Sequence, residues 1–98
     1  MLHMVVLVHG PETCAAAHKE YGQMARDAMG AKDRVAGKHG ASIKGMWVDA
    51  PAHTFYFLVD APNAHAVNDL MVDLKFFLWN GVDVHPIVPL EDAMKLAA

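Results

Sequence analysis

The stretch Ile43-Lys44-Gly45-Met46-Trp47-Val48-Asp49-Ala50-Pro51-Ala52-His53-Thr54-Phe55-Tyr56-Phe57-Leu58-Val59 decides the fold. Residues 43–48 and 54–59 are dominated by β-branched, aromatic and other apolar side chains, as in strands. Only five residues separate them, with Pro51 in the middle, so the two strands pair as a hairpin. Upstream, residues 13–36 are rich in Ala, Met, Lys, Glu and Arg, all good helix formers. Ala17, Tyr21, Met24, Ala28 and Ala31 recur at three- and four-residue spacing and give that helix one apolar stripe. Gly22 and Gly30 weaken it and mark points where it could break. Gly37 and Gly40 end it. Residues 4–8, before the helix, are a continuous apolar run closed by His9-Gly10-Pro11, which predicts a buried strand. Pro11 suits a helix start, with Glu12 in the first turn.

Downstream of the hairpin, Pro62-Asn63 opens a second helix with Asn63 as its N-cap. Val67, Leu70, Met71, Leu74, Phe77 and Leu78 form its expected buried stripe, and Asn80-Gly81 stops it. Residues 82–88 read as a fourth strand, placed at a sheet edge because Pro86 cannot donate to a ladder. Residues 90–96 read as a short terminal helix. The order is β-α-β-β-α-β, the ferredoxin-like split unit. The expected fold is therefore α+β: one domain over residues 1–98, with a four-stranded antiparallel sheet and two helices on one face. The first and third strands are central.

Composition bounds the function. The chain has 98 residues, a formal net charge of −3, 54% hydrophobic and 19% charged residues, seven histidines and one cysteine. It should fold rather than stay disordered. A nucleic-acid partner would call for a basic face, so none is expected. A single cysteine excludes an internal disulfide and any CxxC metal motif. The N-terminal apolar run is too short for a signal peptide, and no stretch has transmembrane length. The expectation is a cytoplasmic chain with no membrane partner and Cys14 as a reduced thiol.

Two helices cover only one face of such a sheet. Period-two alternation assigns Met4, Val6, Val8, Met46, Val48, Phe55, Phe57, Val59, Val84 and Val88 to the helix face. The other face then holds Val5, Leu7, Trp47, Tyr56, Leu58 and Ile87, with His3, His9, Asp49 and His85 among them. A face so apolar calls for a partner, and a second copy in a two-fold homodimer, or a higher homo-oligomer, is the expected one. The dimer core would enclose a polar-edged cavity for a small-molecule ligand.

The segments Val8-His9-Gly10-Pro11-Glu12-Thr13-Cys14, Lys44-Gly45-Met46-Trp47-Val48, Ala50-Pro51-Ala52-His53-Thr54 and Val84-His85-Pro86-Ile87-Val88 carry a resemblance. The whole chain resembles the dimeric α+β barrel proteins, a superfamily that includes small monooxygenases, muconolactone isomerase and haem-degrading enzymes. It further resembles an uncharacterised family of short prokaryotic barrel proteins with a His-x-x-Glu-x-Cys segment after the first strand. His9, Glu12, Cys14 and His53 match that family's patterns. Gly10 departs from it, and Ala52 stands where its hairpin carries an acid. The resemblance implies the barrel dimer and speaks weakly to chemistry, because the superfamily hosts many reactions.

The topology gathers residues at one end of the sheet. His9, Glu12, Cys14, Asp49, His53, Trp79, Asp83 and His85 are all expected there, from four separate segments. Cys14, read as lying in the first turn of a helix, is a reactive thiol or metal ligand by one reading and a small buried residue by the other. His9 and His53 could ligate a metal or move a proton, or could cap a turn and sit in solvent. His85 could line the cavity or be a structural histidine. Glu12 could serve the site or only the helix dipole. Asp49 and Asp83 could orient histidines or be solvated turn residues. Trp47 and Tyr56 would form an aromatic wall for a ligand or pack in the dimer core. His3 reads as structural, and His18, His39 and His65 as surface residues.

Three functions follow as alternatives. In the first, His9, Cys14 and His53, with Glu12 or His85, hold zinc, iron or copper, for which imidazole and thiolate are suited ligands. In the second, a metal-free, monooxygenase- or isomerase-like enzyme acts on a small apolar substrate through His9, His53 and Cys14. The third is a non-catalytic ligand-binding or sensor module. The resemblance also brings haem as a cofactor, with a histidine as axial ligand.

Overall fold

The computed structural model describes residues 1–96. The elements are β1 (Leu2–Val8), a 3-10 turn (Pro11–Thr13), α1 (Lys19–Lys38), β2 (Ser42–Asp49), β3 (Thr54–Asp60), α2 (Ala64–Asp73), a second 3-10 turn (Phe76–Leu78), β4 (Gly81–Ile87) and α3 (Leu90–Met94). The sheet is open and antiparallel, in the order β2-β3-β1-β4. It is an α+β arrangement consistent with the ferredoxin-like order, with β1 and β3 central.

The hairpin forms as the sequence predicts. Met46 lies opposite Phe57, Trp47 opposite Tyr56 and Asp49 opposite Thr54. Asp49 accepts a hydrogen bond from the Ala52 amide at 3.2 Å, closing the turn. A bulge at Lys44 shifts the register between Ile43 and Gly45. Asn63 caps α2 through its side-chain oxygen, which accepts from the Ala66 amide at 2.9 Å. Val67, Leu70, Met71 and Leu74 of this helix region are all buried. Each such side chain contributes roughly 1.5–3 kcal/mol of burial free energy.

Three expectations are corrected. The first concerns the faces of β1. Val5 lies opposite Phe57 on one side and Val84 on the other. Val5 and Leu7, not Met4, Val6 and Val8, therefore share the helix-facing core with Phe57, Val59 and the residues of α1 and α2. His3 and His9 go with them. Residues 4–8 are apolar at every position, so alternation alone carries no phase there. The pairing with β3 sets it.

His3 is consequently in the core with no exposed surface, and neither ring nitrogen has a hydrogen-bond partner among the described residues. Desolvating polar atoms without a partner is costly, on the order of 1–3 kcal/mol for each group.

The second correction is the start of α1. It begins at Lys19, not near residue 13, and then runs unbroken through Gly22 and Gly30. Residues 13–18 are held out of the helix by contacts with other segments. The Thr13 hydroxyl donates to the Trp79 carbonyl at 3.1 Å, and the His18 ring Nε2 donates to the Pro11 carbonyl at 3.0 Å.

The third is the end of α2. The helix stops at Asp73, and Lys75 takes a left-handed conformation (φ 66°). That residue rotates the chain that follows. Phe76 and Trp79 turn inward and are buried, whereas Phe77 and Leu78, expected in the stripe, are about half exposed. His39 also differs from its surface reading: its Nε2 lies 2.6 Å from an Asp73 carboxylate oxygen and ties the ends of α1 and α2 together.

Candidate metal centre

The end of β1, the loop before α1 and the β2–β3 turn meet at one edge of the sheet. His9 follows β1, and its backbone amide donates to the His53 carbonyl at 3.1 Å, extending the β1–β3 ladder by one step. The two imidazole rings meet edge to face, 5.2 Å apart. His53 adopts φ 49°, the left-handed region that costs a non-glycine residue roughly 1–2 kcal/mol. The strain is held in place by the short turn and by that hydrogen bond. Strain of this kind clusters at functional sites.

Cys14 closes the first 3-10 turn, where its amide donates to the Pro11 carbonyl at 3.4 Å. It is not in the first turn of an α-helix, as the sequence suggested, but five residues before the start of α1. The next residue, Ala15, packs closely on α1. A Cβ at Gly22 would stand 2.9 Å from the Ala15 carbonyl oxygen. Only glycine lets α1 approach the Cys14-Ala15 backbone this closely. Gly22 therefore seats the loop rather than weakening the helix.

His9, Cys14 and His53 are brought together. One ligand atom from each, a ring nitrogen or the sulfur, lies within 4.8 Å of the other two, and all three residues are half-buried. A tetrahedral zinc centre with Zn–N near 2.0 Å and Zn–S near 2.3 Å spaces its ligands by about 3.5 Å. Separations of up to 4.8 Å are thus within about 1 Å of those an ion needs.

Asn80, which in sequence reads only as a helix stop, orients this group. The Asn80 amide nitrogen donates to the Phe76 carbonyl at 3.1 Å, so its oxygen faces Nδ1 of His9, 2.9 Å away. Asn80 is nearly buried. The neutral tautomer that fits this contact carries its proton on Nδ1, which makes Nε2 the nitrogen open to a metal. That is the usual arrangement of a metal-ligating histidine and its outer partner. The left-handed turn at Lys75 brings Asn80 and Trp79 to the site, with the Trp79 ring centroid 5.3 Å from that of His9. Nothing in the local pattern of residues 75–80 signals this role. Replacing Asn80 with leucine is expected to weaken metal binding about 10–100-fold, the usual cost of losing an outer partner, as read by competition against a chelator.

The remaining expected site residues lie elsewhere. Glu12 is exposed and folds its carboxylate over Gly10. Asp49 serves the hairpin turn. Trp47 and Tyr56 form a cross-strand pair on the sheet face away from the helices and are 56% and 38% exposed. Trp47, on the edge strand, also lines the smaller of the two cavities near the site, as expected of a ligand wall, whereas Tyr56 lines neither. Asp83 lies opposite Val6, and His85 opposite Met4. Both are on that outer face, and His85 is toward the far end of the strand from His9. The expectation that His85 shares a face with His9 fails with the phase of β1.

The three donors open on a cavity of about 320 Å³ whose other walls are Ala15, Ala16, Val48, Ala50 and Phe55. A second cavity of about 210 Å³ shares Val48 and Phe55 and extends along β2 to Met46, Phe57 and Met29. No helix of the described residues is long and apolar enough to cross a membrane. No protein-family model matches the chain, and no curated protein is similar to it.

Proposed function

We propose that this chain binds one transition-metal ion of the zinc, iron or copper class through His9, Cys14 and His53, and uses it on a small molecule. The observation that carries this reading is the convergence of two imidazoles and a thiol within 4.8 Å, from the β1–α1 connection and the β2–β3 turn. Supporting it, the Asn80 amide oxygen sits 2.9 Å from Nδ1 of His9, the place of an outer partner to a ligating histidine, and His53 has a left-handed backbone (φ 49°). Two imidazoles and a thiolate form a borderline-soft ligand set that favours these metals over magnesium or calcium. Three protein ligands leave a coordination position free, the mark of catalytic rather than structural zinc sites. The metal-free alternative, with His9 or His53 moving a proton and Cys14 as nucleophile, uses the same three residues and is separated from this reading by the metal-content measurement below. Haem would take one imidazole and leave two donors without a role.

The working unit in this proposal is a homodimer of the α+β barrel type. Met4, Val6, Trp47, Tyr56, Leu58 and Ile87 lie on the outer sheet face, and a second copy packed there would remove it from water. The experiment is to strip the protein with a chelator, dialyse it against each metal in turn, and measure metal content and mass by sedimentation. About one ion per chain on a particle of twice the chain mass supports both parts. No bound metal refutes the first part, and a monomer refutes the second.

A further inference from the structure

We infer that the free coordination position takes a small apolar molecule with a single thiolate-type head, whose body lies in the cavity pair between β2, β3 and α1. This rests on the metal reading and specifies its ligand. A divalent ion with one thiolate and two neutral imidazoles carries one net positive charge. Neither cavity is lined by a Lys, Arg, Asp or Glu among the described residues, so no side chain of the cavity walls offsets that charge. A monoanionic head completes a neutral centre, and a charged centre against apolar walls is costly.

The walls then choose among monoanions. A carboxylate binding through one oxygen leaves the other in want of a donor. Apart from the two ligating histidines, the side chains around the donors (Ala15, Ala16, Val48, Ala50 and Phe55) offer none. A thiolate needs no second partner and matches the soft metal that Cys14 selects. The body is limited by volume. About 320 Å³ at the donors, with a neighbouring 210 Å³ across Val48 and Phe55, lies at the small end of ligand pockets. A short alkyl chain or one ring fits.

The test uses the whole chain loaded with cobalt, whose absorption reports both loading and the arrival of a sulfur ligand. Inorganic sulfide and the straight-chain thiols from ethanethiol to hexanethiol are titrated in turn. Affinity is expected to rise about fourfold per methylene over the first members, with sulfide weakest. In Val48→Asp, which places a charge in the wall common to both cavities, the rise should flatten. Cobalt binding with equal affinity for sulfide and every thiol overturns this inference and leaves the metal site standing. A matched series of alkanoates that binds more tightly than the thiols overturns the choice of head. Failure of cobalt to bind overturns the metal reading and this inference with it.

Discussion

Cys14→Ala is expected to abolish the thermal stabilisation that zinc gives the parent chain. A ligand that binds only the folded state stabilises it by RT ln(1 + [L]/Kd), about 2.7 kcal/mol at a hundredfold excess over Kd. For a domain of this size that corresponds to a rise in Tm on the order of 10–20 °C. Losing the sulfur removes one of three protein ligands, a larger loss than the 10–100-fold typical of an outer partner. The stabilisation should therefore disappear at the same zinc concentration. The metal-free variant should melt near the parent, because Cys14 is half-buried and no hydrogen bond to its sulfur is seen among the described residues. A scan of both proteins with and without zinc separates the outcomes. An undiminished zinc shift in the variant would remove Cys14 from the site.

His53→Gly and His53→Ala should both lose the metal, yet differ in stability. Both delete the same imidazole. Only glycine occupies the left-handed conformation at φ 49° without cost. The glycine variant is thus expected to be more stable than the alanine variant by roughly 1–2 kcal/mol without metal. Each kcal/mol corresponds to about 4–8 °C in Tm. Equal melting temperatures would mean that the turn relaxes without strain. Tighter zinc binding in either variant than in the parent would show that His53 is not a ligand.

Much of the fold was legible because its signals are local. The hairpin came from two apolar stretches separated by five residues, the N-cap of α2 from Asn63, and the edge position of β4 from Pro86. Each is borne out by the strand order or by a hydrogen bond in place. The phase of β1 was not legible. A strand with five apolar residues in a row looks the same from both sides, and its polar neighbours His3 and His9 suggested the wrong one. The cost of burying His3 is accepted because the register with β3 and β4 fixes every side chain of the strand at once.

The site divides in the same way. His9, Cys14 and His53 could be brought together by topology alone, since the end of one strand, the loop that follows and a hairpin turn share an edge. Topology also places Asp83 and His85 near that edge, because β4 starts there. The antiparallel register carries His85 away from it, and the phase of the sheet turns both residues outward. Asn80 and Gly22 were invisible as site residues because their roles depend on non-local approach. Asn80 reaches His9 across 71 positions of sequence, and Gly22 is needed only because Ala15 passes so near.

The most direct measurement is X-ray absorption at the metal edge of the zinc-loaded protein. The account predicts one sulfur neighbour at about 2.3 Å and nitrogen neighbours at about 2.0 Å, with the sulfur lost in Cys14→Ala. A shell of nitrogen and oxygen alone, unchanged by that substitution, would contradict it.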